Sequence, residues 1–345
     1  MMKIISTFFH KNERWLTPIV LFGGFILDSL TLRRSDLLAE NILLGVYFLI
    51  IFIGILLWHK FETRRIKSPK HLEYQSLIFL LIQFAFGGLF SSLTVFYVKS
   101  ASFFASWPFI LLLFGGMIAT EYLKKHFTQF LVQIGTLYIL LFAYFIMLVP
   151  LFVGSINSWV FVLSGILSLI AIFSYVFIFN GYVPKLIKGK EKQVLAVIIS
   201  VFLIINVFYF TNIIPPIPLA LKDSGVYQKV DKKDGQYIFY NFKNRFSLKD
   251  LKQEYTIPGN SSVYFYSSVY APVKFKQKII HNWQKKNIKG EWVTISKIDF
   301  PIYGGNDAGY RGYSISNKIT VGEYRVIVET DHGQVLGGET FIVKK

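Results

Sequence analysis

Apolar residues dominate seven long runs in the first part of the chain: Thr17–Leu32, Ile42–Trp58, Leu77–Val98, Ser102–Ala119, Phe130–Val149, Trp159–Phe179 and Val194–Ile213. A bilayer core of about 30 Å takes about 20 residues of helix. The pattern therefore predicts an α-helical transmembrane bundle of about seven spans. The connections are short, so neighbouring helices pack antiparallel. The first run is the shortest and carries Asp28. Ahead of it, residues 1–15 do not read as a secretory signal, because the apolar patch at Ile4, Ile5, Phe8 and Phe9 is followed by Lys11, Glu13 and Arg14.

After Ile213 the pattern breaks at Ile214-Pro215-Pro216-Ile217-Pro218. Proline cannot continue a helix, and residues 214–222 read as an extended spacer. Beyond it the apolar period becomes two. Gln236–Phe242, Val263–Tyr270, Pro272–Trp283, Glu291–Asp299, Gly309–Ser316, Glu323–Thr330 and Thr340–Val343 are rich in Val, Ile, Tyr and Phe, with Gly/Asn/Asp turns between them. These predict an all-β, immunoglobulin-like sandwich over residues 223–345, without the cysteines of that fold. The membrane domain accordingly covers 1–213.

Two strands show their faces. In Pro272–Trp283, Val273, Phe275, Ile279, His281 and Trp283 share one side, with Lys274, Lys276 and Lys278 on the other. His281 thus points into the core beside Trp283, where a hydrogen bond to backbone is expected. In Glu323–Thr330, Tyr324, Val326 and Val328 face inward. Glu323, Arg325 and Glu329 face outward with Ile327, which predicts a solvated charged side.

Composition agrees with the pattern. The 345 residues are 53% hydrophobic and only 17% charged, with 37 Lys+Arg against 20 Asp+Glu and no Cys. Soluble domains carry about 25% charged residues. The absence of Cys excludes a disulfide-stapled scaffold. The cations are asymmetric across the predicted spans. One side collects 14, at Lys3, Lys11, Arg14, Lys60, Arg64, Arg65, Lys67, Lys70, Lys124, Lys125, Lys185, Lys188, Lys190 and Lys192, and the other only Arg33, Arg34 and Lys99. The basic side is cytoplasmic by the positive-inside rule. The N-terminus is then cytoplasmic and the β domain extracytoplasmic, which fits a bacterial inner membrane. From Pro215 onward there are 20 basic and 12 acidic residues. A lysine stripe at this net charge fits contact with anionic lipid or simply a solvated face. The topology and the lack of an RNP-type pattern argue against nucleic acid.

Intramembrane polar residues are the next candidates. Gln83, Gly87, Ser91 and Thr94 share a helical face and read as a helix–helix seam. Asp28, Gln83 and Glu121 would form an ion relay only if they converged at one depth. The last span has no Schiff-base lysine and no span has arginine repeats. HExxH and GxSxG are missing, so no catalytic residue, metal or cofactor is assigned. In the β domain, Gly304-Gly305-Asn306-Asp307-Ala308-Gly309-Tyr310-Arg311-Gly312-Tyr313 is dense in glycine, which permits close backbone approach. Asp307, Tyr310, Arg311 and Tyr313, with His281 and Trp283, are the candidate binding residues. A salt-bridged inter-strand connection is the plain reading of the loop, and a small-ligand or glycan site the sharper one.

Several spaced motifs carry a resemblance. His281-Asn-Trp283, Gly290-Glu-Trp292, Gly304-Gly305, Gly309-Tyr-Arg-Gly-Tyr-Ser314, Gly322-Glu-Tyr-Arg-Val326 and Gly333-Gln-Val-Leu-Gly337 resemble the bacterial domain-of-unknown-function family 2914 (DUF2914), typically a C-terminal β domain. Residues 24–31, 83–91 and 214–219 resemble the multi-pass region attached to some members. Asn306 departs from the Arg expected after the paired glycines. The resemblance implies no activity. Function is therefore read as a membrane-anchored β-sandwich that binds an envelope partner, glycan or lipid. The alternatives are a transporter or ion-translocating bundle, and an enzyme acting on lipid-linked substrates.

Overall fold

The computed structural model describes residues 23–32, 34–64, 69–100, 103–123, 126–233, 236–241, 244–247, 252–256, 262–305, 308–317 and 319–344. The chain forms two compact units. One is helical. The other joins Ile214–Lys345 with two connecting stretches, Ser100–Ser106 and Pro150–Val160.

In the helical unit, α1 covers residues 23–31. It is followed by α2 (Leu38–Arg64), α3 (Pro69–Ser100), α4 (Phe103–Tyr122), α5 (Phe130–Val153), α6 (Ser158–Tyr182), the short α7 (Pro184–Ile187) and α8 (Glu191–Phe210). Among the described residues six helices, α2 to α6 and α8, are long and apolar enough to span a membrane. Residues 17–22 of the first predicted span lie outside the described residues. Most of these helices run past their apolar runs, because a helix closes its own hydrogen bonds and continues in the polar interface with residues such as Lys60 and Glu62. Small residues let backbones approach: Gly88 of α3 lies under the Tyr47 ring of α2, and Gly116 of α4 under the Phe90 ring of α3. Polar side chains bond across the bundle. Tyr97 donates to the Ala143 carbonyl of α5 at 2.8 Å, and Tyr175 of α6 donates to the Phe52 carbonyl of α2 at 3.0 Å.

The β unit is a two-sheet sandwich with eleven strands among the described residues: β1 (Ala220–Tyr227), β2 (Lys229–Lys233), β3 (Gln236–Tyr240), β4 (Asn244–Ser247), β5 (Lys252–Thr256), β6 (Val263–Tyr270), β7 (Lys276–Lys286), β8 (Trp292–Tyr303), β9 (Tyr310–Ser316), β10 (Gly322–Thr330) and β11 (Val335–Lys344). One sheet has the order β1-β6-β9 and the other β4-β5-β11-β10-β7-β8, while β2 and β3 form a separate hairpin. Every pairing is antiparallel except β5 with β11. Phe265 of β6, Ile279 and Trp283 of β7, Val326 and Val328 of β10 and Phe341 of β11 fill the core between the sheets.

Four strands lack a clear apolar alternation. β1 (ALKDSGVY) and β2 (KVDKK) are rich in polar residues, and β4 and β5 are short and charged. Their strand character comes from pairing, β1 with β6 in register from Ala220–Tyr270 to Tyr227–Tyr264. The Pro272–Trp283 run also needs correction. Its strand starts at Lys276, and residues 272–275 form a turn in which Phe275 N donates to the Pro272 carbonyl and Lys274 has φ 64. Val273 therefore sits at 64% exposure instead of in the core.

Two connections are packed as core. Ile156, between α5 and α6, is buried in the same cluster as Trp283. Its N–H donates to the Gln277 side-chain oxygen at 3.0 Å, and the Gly154 carbonyl accepts from Lys276 N at 2.8 Å. In the proline-rich stretch, Ile214, Ile217 and Leu219 are buried, and the Ile214 carbonyl accepts from Gln334 Nε2.

Candidate functional site

The alternation of β9 divides the candidate residues between two environments. Tyr310, Gly312 and Ser314 turn inward, while Arg311, Tyr313 and Ile315 turn outward. Tyr310 packs on Phe300 at the edge of the core, with ring centroids 6.4 Å apart. Asp307 lies outside the described residues.

His281 and Trp283 sit in the core and join the two sheets. His281 Nε2 is 2.7 Å from Ser267 Oγ of β6, and its Nδ1 is 2.9 Å from Ser314 Oγ of β9. Trp283 Nε1 donates to the same Ser314 oxygen at 2.9 Å. The imidazole bonds to hydroxyls and not to backbone, and Phe265 and Phe300 stand edge-on to it at 4.8 and 4.9 Å. Burial pushes the His281 imidazole down from 6.5 to about 3, so it is neutral at pH 7.

This shift fixes a pH dependence. The unfolded chain takes up the proton near pH 6.5, the folded chain only near 3, so His281 favours folding fully above 6.5 and progressively less below it. Each pH unit between these values removes about 1.4 kcal/mol. Thermal unfolding of the protein and of His281→Asn between pH 7.5 and 4.5 should show this slope in the wild type and not in the variant.

The outer face of the three-stranded sheet is aromatic. Cross-strand register places Tyr227, Tyr264 and Ile315 in one row and Gly225, Tyr266 and Tyr313 in the next. The β2–β3 hairpin lies over this face: Phe239 stacks on Tyr227 at 4.5 Å and meets Tyr266 edge-on at 4.8 Å, while Tyr237 donates to the Arg311 carbonyl at 3.0 Å. Beside the hairpin, Tyr313 stays 39% exposed, with Tyr264 at 5.9 Å. Arg311 is exposed, and Lys232 and Lys229 stand over the Tyr237 and Tyr240 rings at 5.6 and 5.7 Å. The sequence does not mark Tyr237, Tyr240 and Tyr264 as part of this face, because Tyr264 joins it through the register of β6 with β9 and Tyr237 and Tyr240 through the placement of the hairpin.

The intramembrane candidates do not converge. Ser91 donates to Asp28, whereas Gln83 donates to the Thr120 carbonyl of α4 at 3.2 Å, next to Glu121 in the last turn of that helix. Eight residues separate Gln83 from Ser91 on α3, an axial distance of about 12 Å. Ser91 thus bonds to α1 and Gln83 to α4, so the face serves more than one neighbour, while Thr94 bonds within its own helix and a side chain at Gly87 would meet nothing within 4 Å. A different polar joint holds α2: buried His59 lies 2.9 Å from Glu62 and 2.9 Å from Gln133 of α5, which itself donates to the Phe127 carbonyl. Its signal in the sequence is a lone His near the end of an apolar run.

Residues 276–343 match a family described as a protein of unknown function, DUF2914. No curated protein matches. Among solved structures, the chain is similar to the immunoglobulin-like protein PA1606 from Pseudomonas aeruginosa, with 9% identity over 36% of this chain and 96% of that one and a TM-score of 0.23. It is also similar to the Pseudomonas fluorescens alkylpurine DNA glycosylase AlkC bound to DNA containing an abasic site analog, with 11% identity, 81% and 84% coverage and a TM-score of 0.23. At that score neither bears on what this chain does. The protein is a membrane-type helical bundle followed by a two-sheet β domain of unknown function, with a DUF2914 match in its C-terminal region.

Proposed function

We propose that this chain is an inner-membrane protein that presents its β unit outside the cytoplasm as a recognition module for an envelope glycan. The orientation is supported by the 14-to-3 distribution of Lys and Arg among the connecting segments. The ligand class rests on one observation, the Tyr264–Tyr313 pair with Arg311 and Lys232 beside it. Sugar rings present C–H faces that lie on aromatic rings, and their hydroxyl and acidic groups accept from cations and phenols. A sheet face with exposed rings beside a hairpin suits an extended polymer, whose sugar rings can lie along it.

Two measurements test this. A single cysteine at Ile288, fully exposed in the β7–β8 turn, should react with a membrane-impermeant maleimide on intact cells whose outer membrane, if present, is permeabilised. Reaction only after lysis overturns the orientation. The full chain in nanodiscs should be retained by purified cell-envelope polysaccharide. Tyr313→Ala should weaken retention by roughly tenfold, the scale of one aromatic contact. Retention equal in the wild type and in a Tyr313→Ala, Arg311→Gln double variant overturns the site.

A further inference from the structure

Alternation alone makes the outer side of β10 a charged face in water. In the structure that side of the six-stranded sheet is a closed hydrogen-bonded network across β8, β7 and β10. Asn282, Gln284 and Glu329 are only 5%, 9% and 7% exposed. Arg325 Nε donates to Gln284 Oε1 at 2.6 Å, and Gln284 Nε2 donates to Thr294 Oγ1 at 3.4 Å. The Thr294 hydroxyl donates to Asn282 Oδ1 at 3.1 Å, and Asn282 Nδ2 to Glu329 Oε1 at 3.2 Å. Lys297 pairs with that same carboxylate oxygen at 3.1 Å. Both amides are used at both ends, so neither can flip without losing a bond.

The network ends at Arg325. Its guanidinium carbon lies over the Trp292 ring, 4.5 Å from its centre, a cation–π contact. Among the described residues no carboxylate lies within ion-pair distance of it, and its one side-chain hydrogen bond uses Nε. The Nη fork, the part that matches an oxyanion, is left over. Partial burial lowers the proton affinity of this guanidinium, yet arginine remains charged at any physiological pH. A charge that is partly desolvated and lacks a counter-charge favours the arrival of an anion. Lys286 stands over the same ring at 5.7 Å, itself paired with Glu323 at 3.1 Å. Trp292 and Arg325 belong to two separate motifs, Gly290-Glu-Trp292 and Gly322-Glu-Tyr-Arg-Val326, inside the matched residues 276–343.

We propose that Arg325, held over Trp292 and hydrogen-bonded to Gln284, is a binding site for an oxyanion, the phosphate or carboxylate of a ligand, taken by the two Nη groups as a fork. The site lies on the sheet opposite the tyrosine face and stands independently of the glycan reading.

Phenylglyoxal modification read by peptide mass spectrometry tests it in the wild-type full chain, in nanodiscs of zwitterionic lipid. Inorganic phosphate should slow modification of Arg325 at least tenfold, with chloride at equal ionic strength without effect. Equal rates at Arg325 with and without phosphate overturn the proposal, as does equal protection by chloride. Protection by phosphatidylglycerol in the nanodisc, with no phosphate added, identifies the natural source as a lipid headgroup. Protection by added phosphate or acetate alone identifies a soluble ligand, and either result upholds the site. Arg325→Lys keeps the charge and loses the fork, and should weaken phosphate binding, followed by calorimetry, at least tenfold. Unchanged phosphate affinity in the folded variant also overturns the proposal.

Discussion

Trp283→Ala is expected to abolish cooperative folding of the β unit near physiological temperature. Trp283 is fully buried between the two sheets and meets Phe265 and Phe341 edge-on at 6.3 and 6.4 Å. Removing a buried Trp side chain costs about 3–5 kcal/mol from lost burial and the cavity left behind. The same change takes a donor from Ser314, whose oxygen is shared with His281, and so loosens the polar link between the sheets. A domain has about 5–15 kcal/mol in total, so this is a large share. Trp283→Phe keeps most of the ring and loses the N–H; it should cost far less, closer to the roughly 1 kcal/mol of a single hydrogen bond plus some repacking. Near-UV circular dichroism and limited proteolysis of the full chain during a thermal ramp separate the two. A Trp283→Ala protein that melts like the wild type would show that the sandwich does not depend on this residue.

Gly304→Ala is the second large effect, and its cause is backbone crowding. A Cβ on Gly304 would fall inside contact distance of the Pro272 carbonyl, with the Pro272 carbon at 2.7 Å and the Ala271 oxygen at 2.9 Å. These are main-chain atoms that cannot swing aside. Two hydrogen bonds join the same segments, Gly304 N to Phe275 O at 2.8 Å and Gly305 N to Ala271 O at 3.1 Å. The methyl group would push the two segments apart and break both, for a cost on the order of 3–5 kcal/mol. Gly290→Ala is the informative control. Gly290 has φ 83 and nothing within 4 Å, so it carries backbone strain without a clash, about 1–2 kcal/mol. Comparable melting of the two variants would mean that the 271–305 contact yields easily, contrary to this expectation.

The glycine-rich segment shows where sequence reading succeeds and where it stops. Paired glycines at 304 and 305 give notice of a close backbone approach, but not that the partner is the 271–275 turn about thirty residues earlier. His281 and Trp283 are legible as core from period-two spacing. Their joint attachment to Ser314 is not, since it depends on β7 and β9 facing each other across the sandwich. Arg311 and Tyr313 are legible as outward neighbours on one strand. Their company depends on tertiary placement: Tyr264 comes from the pairing of β6 with β9, and Tyr237 from the β2–β3 hairpin folding over that sheet. Arg325 reads as an outward charge on β10. That it is held half-buried against Trp292 depends on β7 lying between β10 and β8.

From its sequence alone, this protein is committed to a helical, membrane-type region followed by a β domain, and to which side of most apolar strands faces the core. Both are local properties: hydrophobic length and period are set by which residues must leave water, and they survive any arrangement of the elements. The tertiary structure decided the rest, namely that the polar stretches at β1, β2, β4 and β5 become strands, that Ile156 joins the β core, and that Trp292 and Arg325 meet. These depend on register and sheet order. A residue with weak intrinsic preference takes the conformation its paired neighbour offers, and two side chains 33 positions apart meet only when the strand between them is in place.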